Sequence, residues 1–328
     1  MALAKSMVHR LFRKTGGLQL ARYMNRRSLR IVMYHRFSGT LHSVRGLEQQ
    51  CRHYRQCYSP ISMTEAASRL SERRPLPDNA LIVTVDDGHR DFCDIAWPIF
   101  SAYGIPVIVY LVTDFLDQRT WLWSDCIEYV MHATPRRTLE LPIDAERRIC
   151  LPLHTLTDRE VAIRTVKHEA KRVSNERRIA LLKDLVKGLG VEPGYTPPPE
   201  YAPLSWDQVR TLGGAGVEFG AHTRSHALLS KVEDDTQIQY EILGSQRRIE
   251  SILDSPARHF CYPNGDVSER SETIVRRHFD SATTTIRGIN RHDIIDRFHL
   301  ERVGVDPESR YLLVEQYLAG VRIRSSDN

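Results

Sequence analysis

Leu81-Ile-Val-Thr-Val-Asp-Asp-Gly88 is the stretch on which the reading of this chain turns. Its first five residues are apolar or β-branched and favour an extended strand. The strand runs into two adjacent carboxylates and a glycine. Neighbouring carboxylates repel each other and cost stability unless a cation compensates. A divalent metal does so, and it lets the pair divide its work, one carboxylate binding the ion and the other moving protons. Asp-Gly is also a common turn pair, so this segment alone leaves a plain turn open.

Working outward, six more short apolar or β-branched runs read as strands: Arg30–His35, Pro106–Val112, Val217–His222, His259–Tyr262, Ser281–Ile286 and His299–Val305. Helical stretches lie between several of them. Thr64–Glu72 opens on a Thr cap, Asp91–Tyr103 runs into Gly104, Ser205–Leu212 opens on a Ser cap, and Thr236–Leu253 sets its isoleucines on one face. Strands alternating with helices predict a parallel sheet covered by helices. Nearly all-apolar strands predict burial on both faces. An open sheet and a closed barrel both meet these demands. Polar residues at strand C-termini (His35, Asp86, Asp87, His222 and Asn264) favour the barrel, and no glycine-rich phosphate loop marks a switch point. The expected fold is thus a distorted (β/α) barrel of about seven parallel strands. Its two parts span residues 29–115 and 204–306. Residues 116–203 break the rhythm and read as a mainly helical insertion, closed by Pro197-Pro-Pro199. A basic arm (1–28) precedes the barrel, and a C-terminal helix and tail (307–328) follow it.

Phe219-Gly-Ala-His-Thr-Arg-Ser-His226 puts His222 at a strand end and His226 four residues on. A helical turn there would bring both imidazoles to one side. Two imidazoles and a carboxylate make a metal site with open positions for water and substrate. The spacing is weak by itself and gains weight beside Asp86-Asp87-Gly88. Phe260-Cys-Tyr-Pro-Asn-Gly265 is a third strand-to-turn segment whose backbone N–H groups could face an oxyanion, although an ordinary turn has the same sequence.

The chain has 328 residues, 41% of them apolar, enough for a real core. Its net charge of +5 is uneven: Lys5, Arg10, Arg13, Lys14, Arg22, Arg26, Arg27 and Arg30 all precede the first acidic residue, Glu48. Such an arm suits peripheral contact with an anionic membrane or an acidic partner, or is simply a solvated basic helix. No zinc-finger, RNP or aromatic-basic pattern points to nucleic acid. No secretory signal or spanning run is visible, and six scattered cysteines read as reduced thiols. The expected location is cytoplasmic, with peripheral membrane association through the arm left open.

Thr84-Val-Asp-Asp-Gly88, His222-Thr-Arg-Ser-His226 and Tyr262-Pro-Asn-Gly265 together resemble the motifs of the polysaccharide deacetylase family, the NodB-homology domains of carbohydrate esterase family four. The resemblance runs from about Leu29 to Val305, less the insertion. It implies a barrel fold and hydrolytic removal of an N-acetyl group from an N-acetylhexosamine-containing glycan or its lipid- or nucleotide-linked precursor. It implies Asp86 as base, Asp87, His222 and His226 as ligands of a divalent metal, usually zinc, and the Asn264 N–H as an oxyanion donor. Three family features are missing: the arginine that opens the third motif (His259 lies near its place), a D-x-x-D-W motif, and the L-x-H that carries the acid, where His299-Leu300 has the wrong order. Met33-Tyr-His35 resembles a segment of the poly-N-acetylglucosamine deacetylase branch and makes His35 the implied acid. Two rival readings stand beside this one: O-acetyl ester hydrolysis by the same chemistry, and a non-catalytic carbohydrate-binding protein that kept the barrel.

Overall fold

The computed structural model describes residues 16–308 and 311–321; Lys5, Arg10, Arg13 and Lys14 of the basic arm lie outside them. In chain order the elements are α1 (Gly17–Met24), β1 (Arg30–Tyr34), α2 (Leu41–Cys57), β2 (Ser59–Pro60), α3 (Met63–Ser71), β3 (Ala80–Val85), a π-helical turn (Phe92–Ala96) leading into α4 (Trp97–Ala102), β4 (Val107–Leu111) and α5 (Thr113–Leu116). The inserted part holds α6 (Trp123–Ala133), the hairpin β5 (Thr138–Pro142) and β6 (Arg148–Pro152), α7 (Leu156–Arg172) and α8 (Asn175–Leu189). The barrel resumes with α9 (Trp206–Gly214), β7 (Glu218–Ala221), α10 (Asp235–Leu253), β8 (His259–Cys261), α11 (Glu269–His278), β9 (Ser281–Arg287) and β10 (Leu300–Gly304), and α12 (Tyr311–Leu318) ends it.

Strands β1, β10, β9, β8, β7, β4 and β3 pair in parallel in that order, and β1 also pairs with β3 from Arg30↔Leu81 to Tyr34↔Val85. The sheet therefore closes on itself as a seven-stranded parallel barrel. Two-residue β2, a strand too short for the sequence to announce, pairs in parallel with the first residues of β3 (Ser59↔Ala80, Pro60↔Leu81).

Side-chain alternation divides the core into two shells. Leu81, Val83 and Val85 of β3 face the surrounding helices with Val107, Val109 and Leu111 of β4. Ile82 faces the barrel interior with Ile31, Ile108, Tyr110, Cys261 and Leu300. Continuing that inner register by twos from Ile82 gives Thr84 and then Asp86. The insertion has a core of its own, with Ile127, Val130, Leu139, Leu141, Val166, Leu181 and Leu185 all buried.

Some local expectations need correction. The helix read as Thr64–Glu72 begins at Met63, because Ser62 and not Thr64 caps it by accepting a bond from Glu65 N. The run from Asp91 starts as a π-turn; Pro98 has no N–H to offer the carbonyl four residues back. Arg30 is no part of an exposed basic arm. It is fully buried and donates to the backbone carbonyls of Asn25, Ser28 and Leu318, tying the start of β1 to the C-terminal helix. No helix among the described residues is long and apolar enough to cross a membrane.

Candidate metal centre

The site begins where β3 ends. Asp87 has φ 76°, and Gly88 N donates to Asp86 O at 3.0 Å, a three-residue γ-turn. A positive φ strains any residue but glycine, so tertiary contacts must hold Asp87 there. The turn sends the two carboxylates different ways. Gly88 is required twice over: its φ is 87°, and a Cβ would come within 2.8 Å of the Leu111 side chain.

Asp86 points into the barrel. Its Oδ1 and Oδ2 accept from Arg302 Nη1 and Nη2, each at 2.7 Å. Arg302 also donates to Thr84 Oγ1 and to the carbonyl of Thr284, and it is 1% exposed. Burial alone would raise the Asp86 carboxyl, but the guanidinium outweighs it and holds the acid well below the usual carboxylate range. Asp86 is therefore ionised and firmly oriented.

Asp87 points to the imidazoles. Its Oδ1 lies 3.5 Å from His222 Nε2 and 3.5 Å from His226 Nε2. That oxygen is buried and has no hydrogen-bond partner. An orphaned carboxylate oxygen facing two ring nitrogens is costly unless a cation sits between them, and one carboxylate with two imidazoles is a donor set that divalent metals accept. The residues present thus fit a metal.

The two rings are set differently. His222 Nδ1 lies 2.7 Å from the carbonyl of Cys261 and must donate to it, which leaves the Nε2 lone pair facing Asp87. His226 Nδ1 is 3.1 Å from Trp123 Nε1, and an indole only donates. The neutral His226 ring thus carries its proton on Nε2, and ligation through that atom needs the other tautomer. Burial keeps the ring neutral by lowering its pKa to about 3.

The expected helical turn between the histidines is absent. Thr223 (φ 64°) and His226 (φ 58°) are both left-handed, and the segment is an open loop. Glu241 of α10 causes this: its carboxylate accepts from Arg224 N, Ser225 N and Ser225 Oγ, taking up donors a helix would use. The histidines still meet, with ring centroids 4.9 Å apart.

His35 Nε2 is 3.8 Å from Asp86 Oδ2, and its side chain is about half exposed, so it stands on the open side of the carboxylate. Asn264 sits in a left-handed turn (φ 54°) with its side-chain Nδ2 buried and unpartnered. His259 belongs elsewhere: at the start of β8 it contacts Ser281 Oγ at 2.9 Å and Thr64 Oγ1 at 3.0 Å. His299, just before the start of β10, lies 3.1 Å from Glu272 of α11. A second cluster, Asp86, His222 and Cys261, also has metal-ligand spacing. Its chemistry is wrong for an ion: Asp86 is already paired, and burial pushes the Cys261 thiol well up, away from thiolate.

Arg302 and Trp123 escaped the sequence reading. Arg302 lies outside any motif, yet Leu300 and Arg302 share a face, so the alternation of β10 puts a charge inside the barrel. Trp123 gives no such signal, because the insertion folds over the site from a distant part of the chain.

A parallel barrel with one carboxylate, two imidazoles and a separate oriented acid at its C-terminal rim is the frame of a hydrolase. The sequence matches the polysaccharide deacetylase family over residues 73–278, and the chain belongs to that family. No curated protein matches the sequence. Among solved structures it resembles Streptococcus pyogenes deacetylase PplD in complex with acetate, at 16% identity and TM-score 0.58 over 88% of this chain and 98% of that one. It is also similar to IcaB from Ammonifex degensii (18%, TM-score 0.56, 89% and 97%) and to a de-N-acetylase from Aggregatibacter actinomycetemcomitans (14%, TM-score 0.55, 88% and 99%). At these identities the likeness is one of fold. His35 and Arg302 both fall outside the matched residues.

The buried ion pair sets a stability test. Arg302→Met strands the Asp86 charge, and Asp86→Asn strands the guanidinium; each should cost about 3–5 kcal/mol in urea unfolding. The double variant should cost clearly less than the two together. The pH dependence follows in sign. The depressed Asp86 contributes stability above its unfolded value near about 4 and loses it as pH falls further. With Arg302→Met burial becomes the dominant influence, opposed only by the His222 and His35 rings, and raises Asp86, so that variant should gain stability on acidification. Additive costs with unchanged pH dependence would refute the pairing.

The indole sets a second test. Trp123→Phe removes the donor that opposes ligation by His226. Zinc affinity, measured by competition with a chelator, should rise roughly fivefold, the worth of about 1 kcal/mol. Weaker binding would mean that the indole holds the ring in its ligating pose.

Proposed function

We propose that this protein is a zinc-dependent N-deacetylase that removes acetyl groups from an N-acetylhexosamine-containing glycan or its lipid- or nucleotide-linked precursor. The observation that carries the proposal is the buried, unpartnered Asp87 Oδ1 between two imidazole nitrogens at 3.5 Å each. Asp87, His222 and His226 are the proposed ligands. A divalent ion held there supplies Lewis-acid polarisation of the acetyl carbonyl and a water acidic enough to attack it.

The remaining work falls to the chain itself. Asp86 accepts the water's proton at Oδ2, the oxygen turned to His35. Its low basicity, the consequence of Arg302, suits it to an acidified water and not to a free one. Arg302 keeps that carboxylate in one pose. The Asn264 N–H donates to the oxyanion of the tetrahedral intermediate. His35, on the open side of the site, gives its proton to the departing nitrogen. Family membership supports an acetylated carbohydrate as substrate.

Acetate release from N-acetylated oligosaccharides, lipid- and nucleotide-linked N-acetyl sugars and O-acetylated glycans tests this reading. Activity should appear on an N-acetyl substrate, vanish with a chelator and return with zinc. His222→Ala should lower zinc content and activity together. Release from O-acetyl esters alone would move the assignment to an esterase, and no release from any substrate would favour the binding-protein reading.

The acid has its own test. His35→Ala should reduce turnover about 100-fold, the usual size for a positioned acid, and flatten the alkaline limb of the pH–rate profile. His299→Ala should leave the shape of the profile alone. The reverse pattern would remove His35 from the mechanism.

A further inference from the structure

The insertion carries a buried cation to the edge of the metal centre. Arg178 of α8 is 3% exposed, and its guanidinium carbon lies 5.4 Å from the centroid of the Trp123 ring. That indole is the one bonded to His226, with ring centroids 6.2 Å apart. Arg178 therefore stands one indole away from a proposed ligand, and its charge acts on His226.

The guanidinium is poorly satisfied. Nη2 donates to Asn175 Oδ1, while Nη1 is buried with no partner. Among the described residues no carboxylate lies within ion-pair distance of it. The acids that act on it most, Glu241 and Asp266, already accept from Arg224 and Ser225 and from Ser230 respectively. A buried charge without a counter-ion is expensive, and burial lowers the Arg178 pKa to about 10. The face of Trp123 compensates only in part, because a cation–π contact is weaker than a buried ion pair. A fork of N–H donors with a free edge is suited to an oxyanion.

We infer that Arg178 is a specificity-determining residue that binds an anionic group of the substrate, a phosphate or a carboxylate, carried close to the acetamido group that enters the metal centre. On this account the insertion is a substrate-selecting part of the enzyme. Trp123 meets the guanidinium with its ring face and His226 with its ring nitrogen, so one side chain touches both the selecting residue and a proposed ligand. The inference rests on the deacetylase reading, which supplies the acetamido end of the substrate.

The test compares wild type, Arg178→Lys and Arg178→Gln on matched probes: N-acetylglucosamine 1-phosphate, N-acetylmuramic acid and neutral methyl N-acetylglucosaminide. Acetate release gives kcat and KM, and calorimetry gives binding of each probe to the zinc-loaded protein. Wild type should prefer an anionic probe, the phosphate or carboxylate arm identifying which. In Arg178→Gln the preference in kcat/KM should fall about 10- to 100-fold, mainly through KM, the size expected for one lost charged hydrogen-bond partner. Arg178→Lys should keep part of it. Equal losses on neutral and anionic probes, or a change confined to thermal stability, would reduce Arg178 to a structural support for Trp123 and overturn the inference. If no probe releases acetate, the deacetylase reading fails on these substrates. Calorimetry then still decides: anionic binding lost in Arg178→Gln supports the subsite, and no anionic binding by wild type refutes it.

Discussion

The two 2.7 Å bonds between Asp86 and Arg302 cross the inside of a closed barrel, from the end of β3 to the middle of β10. Strand β1 lies between those two in the sheet, so the pair spans the closure of the barrel. Two charges taken out of water are favourable only when geometry and remaining bonds are nearly ideal. Thr84, the carbonyl of Thr284 and the Cys261 sulfur supply those remaining contacts. With Asp86 committed inward, its neighbour must turn elsewhere, and the γ-turn at Asp87 brings the second carboxylate to the histidines. One ion pair thereby sorts two adjacent acids into two environments.

The cost of this arrangement is visible in the backbone. Asp87, Thr223 and His226, on the two segments that meet at the proposed centre, all have positive φ, as does Asn264 in the turn after β8. Left-handed non-glycine residues persist only where the surroundings over-determine them. Here those surroundings are hydrogen bonds from other elements: Glu241 holds the histidine loop, Cys261 holds the His222 ring, and Trp123 holds the His226 ring. The insertion contributes the last of these, so it acts on the centre as well as beside it.

Much of this was legible in the sequence. The β-branched run before Asp86 declared a strand buried on both faces, and polar residues gathered at strand ends because a parallel barrel puts all its C-termini on one rim. Asp87, His222 and His226 could be named together because each lies next to a recognisable strand. What could not be read depended on long-range packing. The buried arginine stands on β10 within Leu300-Glu-Arg302-Val, where only strand alternation hints that it points inward. The helical turn expected between the histidines failed because a remote acid, Glu241, competes for the loop's backbone. Trp123 and Arg178 sit in a segment whose own sequence records nothing of the barrel it covers.

Zinc-edge X-ray absorption on the purified protein tests the central claim most directly, because the two buried donor sets that share His222 differ in one element. Asp87, His222 and His226 give a first shell of nitrogen and oxygen at about 2.0–2.2 Å, whereas the cluster with Cys261 adds sulfur at about 2.3 Å. The expected spectrum has two imidazoles, light-atom scatterers only, and no change in Cys261→Ser. A sulfur contribution lost in Cys261→Ser would contradict the account, since it would put the ion where Arg302 now holds Asp86.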